Sequence, residues 1–123
     1  MFNPMVQQQA ARLDAVFHAL ADPTRREMLQ RLSGGEHSIG ELAAPFRMSF
    51  AGASKHVRVL ERAGLVHRTV QGRTHVCRLA PEPLAGAMDW LRFYERFWSD
   101  GLDALERALR EPERKTRRGD KDE

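Results

Sequence analysis

Seven side chains between Arg47 and Arg78 are basic: Arg47, Lys55, Arg58, Arg62, Arg68, Arg73 and Arg78. Glu61 is the single acid in that stretch. The whole chain has a net charge of +3, so the remainder is net acidic. Cations gathered in one segment are the electrostatic footprint of a surface that meets phosphates; a merely solvated face is the plainer alternative. Spacing favours the first reading. A DNA major groove about 12 Å wide admits one α-helix, which then needs one buried stripe and one slender polar face. A helix from Phe50 to Ala63 has that form, with Ala53, Val57 and Leu60 inward. Its other face carries Ala51, Gly52, Ser54, Lys55, Arg58 and Arg62. Ser54 and Lys55 are expected at base edges, and Arg58 and Arg62 at phosphates, where they fix register. Phe50 has two readings, against a thymine methyl or as a staple closing the corner before the helix. Arg68 and Arg73 project from a hairpin, and Arg73 at its tip suits a minor groove or a phosphate backbone.

Other chemistries find less support. The histidines are His18, His37, His56, His67 and His75, and no His-x-x-x-His occurs. Zinc sites want three or four ligands, some at short local spacing. His67, His75 and Cys77 across the hairpin are the best metal set the chain offers, and a weak one; no metal and no cofactor is expected. Cys77 is the only cysteine, which excludes an intrachain disulfide and a cysteine cluster. Gly-x-Ser-x-Gly, phosphate-binding glycine loops and His-Glu-x-x-His are all missing, so an enzyme is not expected.

The elements that must position these residues follow from punctuation and period. Apolar positions Ala11, Leu13, Val16, Phe17 and Leu20 predict a helix over 8–20. Asp22-Pro23 restarts the chain with a good cap and a favoured first residue, and a second helix runs to about Ser33, ended by Gly34-Gly35. Ser38 and Glu41 have capping-box spacing for a short third helix, limited by Pro45. Arg47-Met48-Ser49 is a turn, with Ser49 as cap of the fourth helix and Gly64 as its end. Strands are predicted over 65–70 and 74–79 around Gln71-Gly72-Arg73. Pro81 and Pro83 open a long helix to about Arg110. The expected fold is mainly α with a two-stranded β-wing: a winged helix-turn-helix over 8–110. A charged tail over 111–123 is expected to be disordered. No apolar run approaches the roughly 20 residues of a membrane span, and Met1-Phe2-Asn3-Pro4-Met5 lacks a secretory layout. A cytoplasmic protein is therefore expected.

On the last helix, Leu84, Met88, Leu91, Glu95, Trp98, Leu102, Leu105 and Leu109 alternate by four and three, a heptad seam with one polar break. A second stripe runs Trp90, Phe93, Phe97, Ala104 and Ala108. A helix apolar on two sides needs two partners, and a small domain supplies one, so a second copy is the expected other surface. A core helix with a generous stripe is the alternative. The aromatic cluster is also a candidate lining for a small-molecule effector.

Three segments carry a resemblance. Ala21-Asp22-Pro23-Thr24-Arg25-Arg26, Ile39-Gly40-Glu41-Leu42-Ala43 and the run from Ser54-Lys55-His56-Val57 to Gly64-Leu65-Val66 resemble the ArsR/SmtB winged-helix repressors. The segment from Trp90 to Trp98 resembles a branch without the usual metal-sensing sites. The resemblance implies a homodimer on double-stranded operator DNA, paired through its first and last helices and mostly repressing. The expected DNA surface, read from the helix face and the wing, is Ser49, Phe50, Ala51, Gly52, Ser54, Lys55, His56, Arg58, Arg62, Arg68 and Arg73, with His56 DNA-proximal or structural. On the first and last helices the apolar positions expected at the dimer contact are Leu13, Phe17, Leu91, Trp98, Leu102 and Leu105. A sensor responsive to a small molecule or metal, and an interaction module without DNA binding, are the competing functions. The chain departs from the family in two places. Phe50 and Ala51 stand where the family often has Gln and Pro, and the third helix has no Cys-x-Cys.

Overall fold

Three side-chain caps set where the helices begin. A computed structural model describes residues 4–110. Helix α1 covers Pro4–Leu20 and α2 covers Pro23–Leu32. Between them Asp22 Oδ1 accepts from the backbone N–H groups of Thr24 (2.7 Å) and Arg25 (3.1 Å). These are donors that the first turn of a helix cannot satisfy internally. Helix α3 covers Ile39–Ala43 and tightens into a 3₁₀ turn over Ala44–Phe46. Its capping box is complete: Glu41 N–H donates to Ser38 Oγ at 3.1 Å, and Ser38 N–H donates to Glu41 Oε1 at 2.8 Å. Helix α4 covers Phe50–Arg62, with Gly52 N–H donating to Ser49 Oγ at 3.0 Å. Arg47 makes the turn before it in the left-handed region, at φ 54°.

Helix α1 starts earlier than the apolar period indicates. Pro4 lies at its first position, where a missing N–H costs nothing, and Met5 and Val6 in the added turn are exposed rather than part of the buried stripe.

The sheet has three antiparallel strands in the order β1-β3-β2, one more than the wing predicts. Strand β1 is His37–Ser38, β2 is Val66–Gln71 and β3 is Thr74–Leu79. A two-residue strand carries no alternation to read, and it forms because His37 and Ser38 pair with Cys77 and Val76. The hairpin pairs Val66 with Leu79 and Gln71 with Thr74. Gln71 therefore joins the ladder, leaving Gly72 and Arg73 as a two-residue turn with Gly72 at φ +65°.

The core lies where α1, α2, α3, α4 and β3 meet. Val16, Met28, Ile39, Leu42, Val57, Leu60, Leu65 and Cys77 are its largest fully buried side chains. Gly64 ends the turn after α4 at φ +76°, and a Cβ there would stand 3.3 Å from Pro83 Cγ. Glycine thus serves both the left-handed backbone and the close approach. Helix α5, Glu82–Arg92, adds Ala87 to the core, with Leu84 packed against it.

The chain divides into two compact units between Met88 and Asp89. The single long helix expected from Pro83 to Arg110 is two helices. Helix α5 ends at Arg92 and α6 runs Glu95–Arg110. Between them Phe93 N–H donates to Trp90 O (3.3 Å) and Tyr94 N–H to Leu91 O (2.9 Å), the shorter 3₁₀ spacing. Phe93 and Tyr94 are poor helix formers, and the turn gathers rings. Tyr94 lies 5.0 Å from both Trp90 and Phe93 and 6.3 Å from Phe97. The heptad seam therefore does not run along one continuous rod. The tail expected to be disordered lies outside the described residues.

Candidate nucleic-acid interface

Helix α4 shows how one helix can be anchored and still offer a free face. Ala53, Val57 and Leu60 are fully buried. Ala51, Lys55, Arg58 and Arg62, at spacings of four, three and four, are exposed along the opposite side. Lys55, Arg58, Arg62 and the wing-tip Arg73 make no ion pair or side-chain hydrogen bond with another described residue. Four cations held on rigid elements and left unneutralised favour an anionic partner. Small Ala51 near the start of α4 leaves room for close approach, and Phe50 is exposed beside it.

Four predicted positions lie differently. Ser54, expected at base edges, is only 7% exposed and packs on the core side of α4. It sits at the margin of the inward stripe, where helical period alone does not choose a side. Gly52 is half-buried, and a Cβ there would make an ordinary contact with Ser49 Oγ at 3.4 Å. Arg68, expected to face DNA, is committed internally. Its Nη2 is 2.8 Å from Glu61 Oε1 and its Nε donates to Oε2 at 3.3 Å. Both side chains are half-buried, and this two-pronged pair ties α4 to β2. His56 turns from the exposed stripe toward α2, where Arg25 Nη1 donates to its Nδ1 across 3.3 Å.

That last contact belongs to a network the sequence pattern misses. Arg25 Nε donates to Ala19 O at 2.8 Å and its Nη2 to His18 O at 2.9 Å, satisfying carbonyls at the end of α1. Its Nη1 lies 3.8 Å from Asp22 Oδ2. Arg26 Nη1 donates to Leu20 O at 2.7 Å. One guanidinium thus joins the end of α1, the start of α2 and helix α4. For Asp22, burial pushes the carboxyl pKa up. The Arg25 and Thr24 amides and the charges of Arg25 and His56 outweigh it, so the pKa lies below its ordinary value.

The histidines and Cys77 do not assemble. His67 pairs with Arg78, and Cys77 with Arg68, so strand alternation puts His67 on the sheet face opposite Cys77 and His75. Among the described residues no three His, Cys, Asp or Glu side chains are placed to hold a metal ion. Burial, reinforced by Glu61 and partly offset by Arg68, raises the Cys77 thiol to about 11. Such a thiol stays protonated at neutral pH.

Of the positions implied for dimerisation, Leu13 and Phe17 on α1 and Leu91 on α5 are half-buried. On α6 Trp98, Leu102 and Leu105 are exposed, Leu102 at 63%, and Leu109 extends the same side. None of the described helices is long and apolar enough to cross a membrane.

A short helix, a tight turn and a second helix with a basic outer face, followed by a β-hairpin, define a winged helix-turn-helix DNA-binding protein. A family model described as a helix-turn-helix domain matches residues 20–69. The HTH-type transcriptional regulator Rv2034 of Mycobacterium tuberculosis is 38% identical over 89 residues, covering 72% of this chain and 80% of the relative. The crystal structure of an ArsR family transcriptional regulator matches with a TM-score of 0.68 at 39% identity, covering 73% of this chain and 93% of that one. This chain belongs to the ArsR family of helix-turn-helix transcriptional regulators. It is also 30% identical over 79 residues to the transcriptional repressor SdpR of Bacillus subtilis, covering 64% of this chain and 88% of that relative.

Proposed function

We propose that the chain works as a homodimeric repressor that holds double-stranded operator DNA, with α4 in the major groove and the β2–β3 wing on the flanking backbone. The observation that carries this reading is the exposed, unneutralised stripe of Lys55, Arg58 and Arg62 opposite a fully buried one. Lys55, one turn into α4, reads base edges, while Arg58 and Arg62 hold phosphates. Ser49 keeps the start of α4 formed, and Arg73 grips from the wing tip. Arg68 and His56 support this surface from within through Glu61 and Arg25.

The apolar side of α6 supports self-association. Trp98, Leu102, Leu105 and Leu109 are each more than half exposed, an unusual load of apolar surface for a free helix. The homodimer reading also rests on what the family resemblance implies for the first and last helices, and repression on the likeness to a named repressor. A chromosomal operator as partner places the protein in the cytoplasm, with a regulatory rather than an enzymatic role.

Footprinting the purified protein on DNA upstream of its own gene tests the reading. The expected result is an imperfect palindrome protected at two half-sites about 34 Å apart, one helical turn. A promoter fusion should fall in output when the protein is expressed. No protection, or protection unchanged by Lys55→Ala combined with Arg58→Ala, would refute it.

A further inference from the structure

The corner before α4 is closed without Phe50. A hydrophobic staple joins the residue before the cap to the fourth helical residue. With Ser49 as cap those positions are Met48 and Ala53. Met48 is half-buried and packs against the core, and Ala53 is fully buried. Met48 also lies against the first turn of α4, since a Cβ on Gly52 would be 3.9 Å from its Cβ. Phe50 is the first residue of α4 and is 56% exposed. It has no aromatic neighbour among the described residues. Its phenyl ring, more than half exposed at the leading end of a basic helix, is therefore open to a partner.

We infer that Phe50 is a specificity-determining residue that recognises thymine through its C5-methyl group in the major groove. This rests on the reading of α4 as the groove helix. The chemistry narrows the partner. A phenyl ring neither donates nor accepts conventional hydrogen bonds, so it is blind to the donor and acceptor pattern of base edges. Thymine alone among the four bases presents an apolar group in the major groove. Ala51 beside Phe50 is small and exposed, so nothing bulky holds the ring away from the base edges. Lys55 and Arg58 further along supply the charge that holds the duplex in place.

The test removes the methyl group and nothing else. A duplex enriched by the purified protein from a random-sequence pool is resynthesised with deoxyuridine at each thymine in turn, and affinity is read by fluorescence anisotropy. Burying one methyl is worth about 0.8 kcal/mol, so replacing the contacted thymine in one half-site should weaken binding about fourfold. Changing both half-sites should weaken it about fifteenfold. Phe50→Ala should bind more weakly and no longer distinguish thymine from deoxyuridine at that position, while Phe50→Leu should still distinguish them. Circular dichroism checks that both variants are folded, and the thymine series on the parent protein needs no variant at all. Binding that is indifferent to every thymine methyl overturns the inference and leaves the DNA reading standing. So does a loss on Phe50→Ala with methyl sensitivity intact, which would make Phe50 a wedge between bases. Failure to enrich any duplex overturns both.

Discussion

Arg25 and Lys55 show how two cations on neighbouring helices come to opposite uses. Arg25 is engaged inside, by the carbonyls of His18 and Ala19, by Asp22 and by His56. Lys55 faces outward with no side-chain partner among the described residues. Lys55→Ala should therefore change base preference, whereas Arg73→Ala should weaken binding across all sequences. Arg73→Ala should also flatten the slope of log K against log salt by about 0.9, the share of one phosphate. Competition by unrelated DNA over a salt series separates the two outcomes, and equal behaviour of both variants would contradict this division of roles. Asp22 offers a second check. Its carboxyl pKa is held low in the folded chain. Its contribution to stability is then complete above about pH 4, its unfolded value, and disappears as pH falls through the lower folded value. Asparagine is as good a cap but does not titrate. Thermal melts between about pH 5 and pH 2 should show the parent losing stability more steeply than Asp22→Asn. Parallel curves would show that the carboxylate charge is idle.

At the scale of elements, caps are legible and margins are not. Asp22, Ser38 and Ser49 each announce a helix start by residue type and spacing, and each makes the expected bond. Ser54 lies between the inward and outward stripes of α4, and the periodicity alone sends it to the wrong one. A serine is small and polar enough for either side, so packing against neighbouring elements decides. The place of Arg68 in the hairpin points toward DNA. Its true partner, Glu61, is seven residues earlier and meets it only once α4 and β2 are packed. The join between α4 and β2 is itself under a strict backbone demand. At Gly64 an alanine would have to accept φ +76° and stand 3.3 Å from Pro83 Cγ. Gly64→Ala should cost about 1–3 kcal/mol, read as a lowered midpoint in urea unfolding at unchanged slope. A cost below about 0.5 kcal/mol would mean that the turn relaxes freely.

At the scale of the whole molecule, the exposed apolar side of α6 is what one chain most conspicuously leaves uncovered. Leu102 is 63% exposed. In a monomer, Leu102→Asp would be a surface change worth about 0.5 kcal/mol or less. In a dimer paired through α6 it would bury an unpaired carboxylate, which is strongly destabilising. Light scattering at micromolar concentration should give a dimer for the parent and a monomer or unfolded chain for Leu102→Asp. Affinity for a palindromic duplex should fall in step, because a single half-site holds a monomer weakly. A monomeric parent that grips the palindrome tightly would remove the need for α6 in DNA binding.

The local chemistry of this chain is written in its residues: three caps, the buried and basic stripes of α4, the hairpin and the positive stretch that spans them. These are short-range or periodic features, and helix and strand geometry turns them into faces without knowledge of neighbours. Tertiary structure decided what depends on distance between segments far apart in sequence. It paired His37 with Cys77 to make a third strand, and brought Glu61 to Arg68 and Arg25 to His56. It also left Phe50 in water while Met48 closed the corner. A side chain's type sets what it can bind; only the packed chain decides which partner stands within reach, and so which cations remain free for DNA.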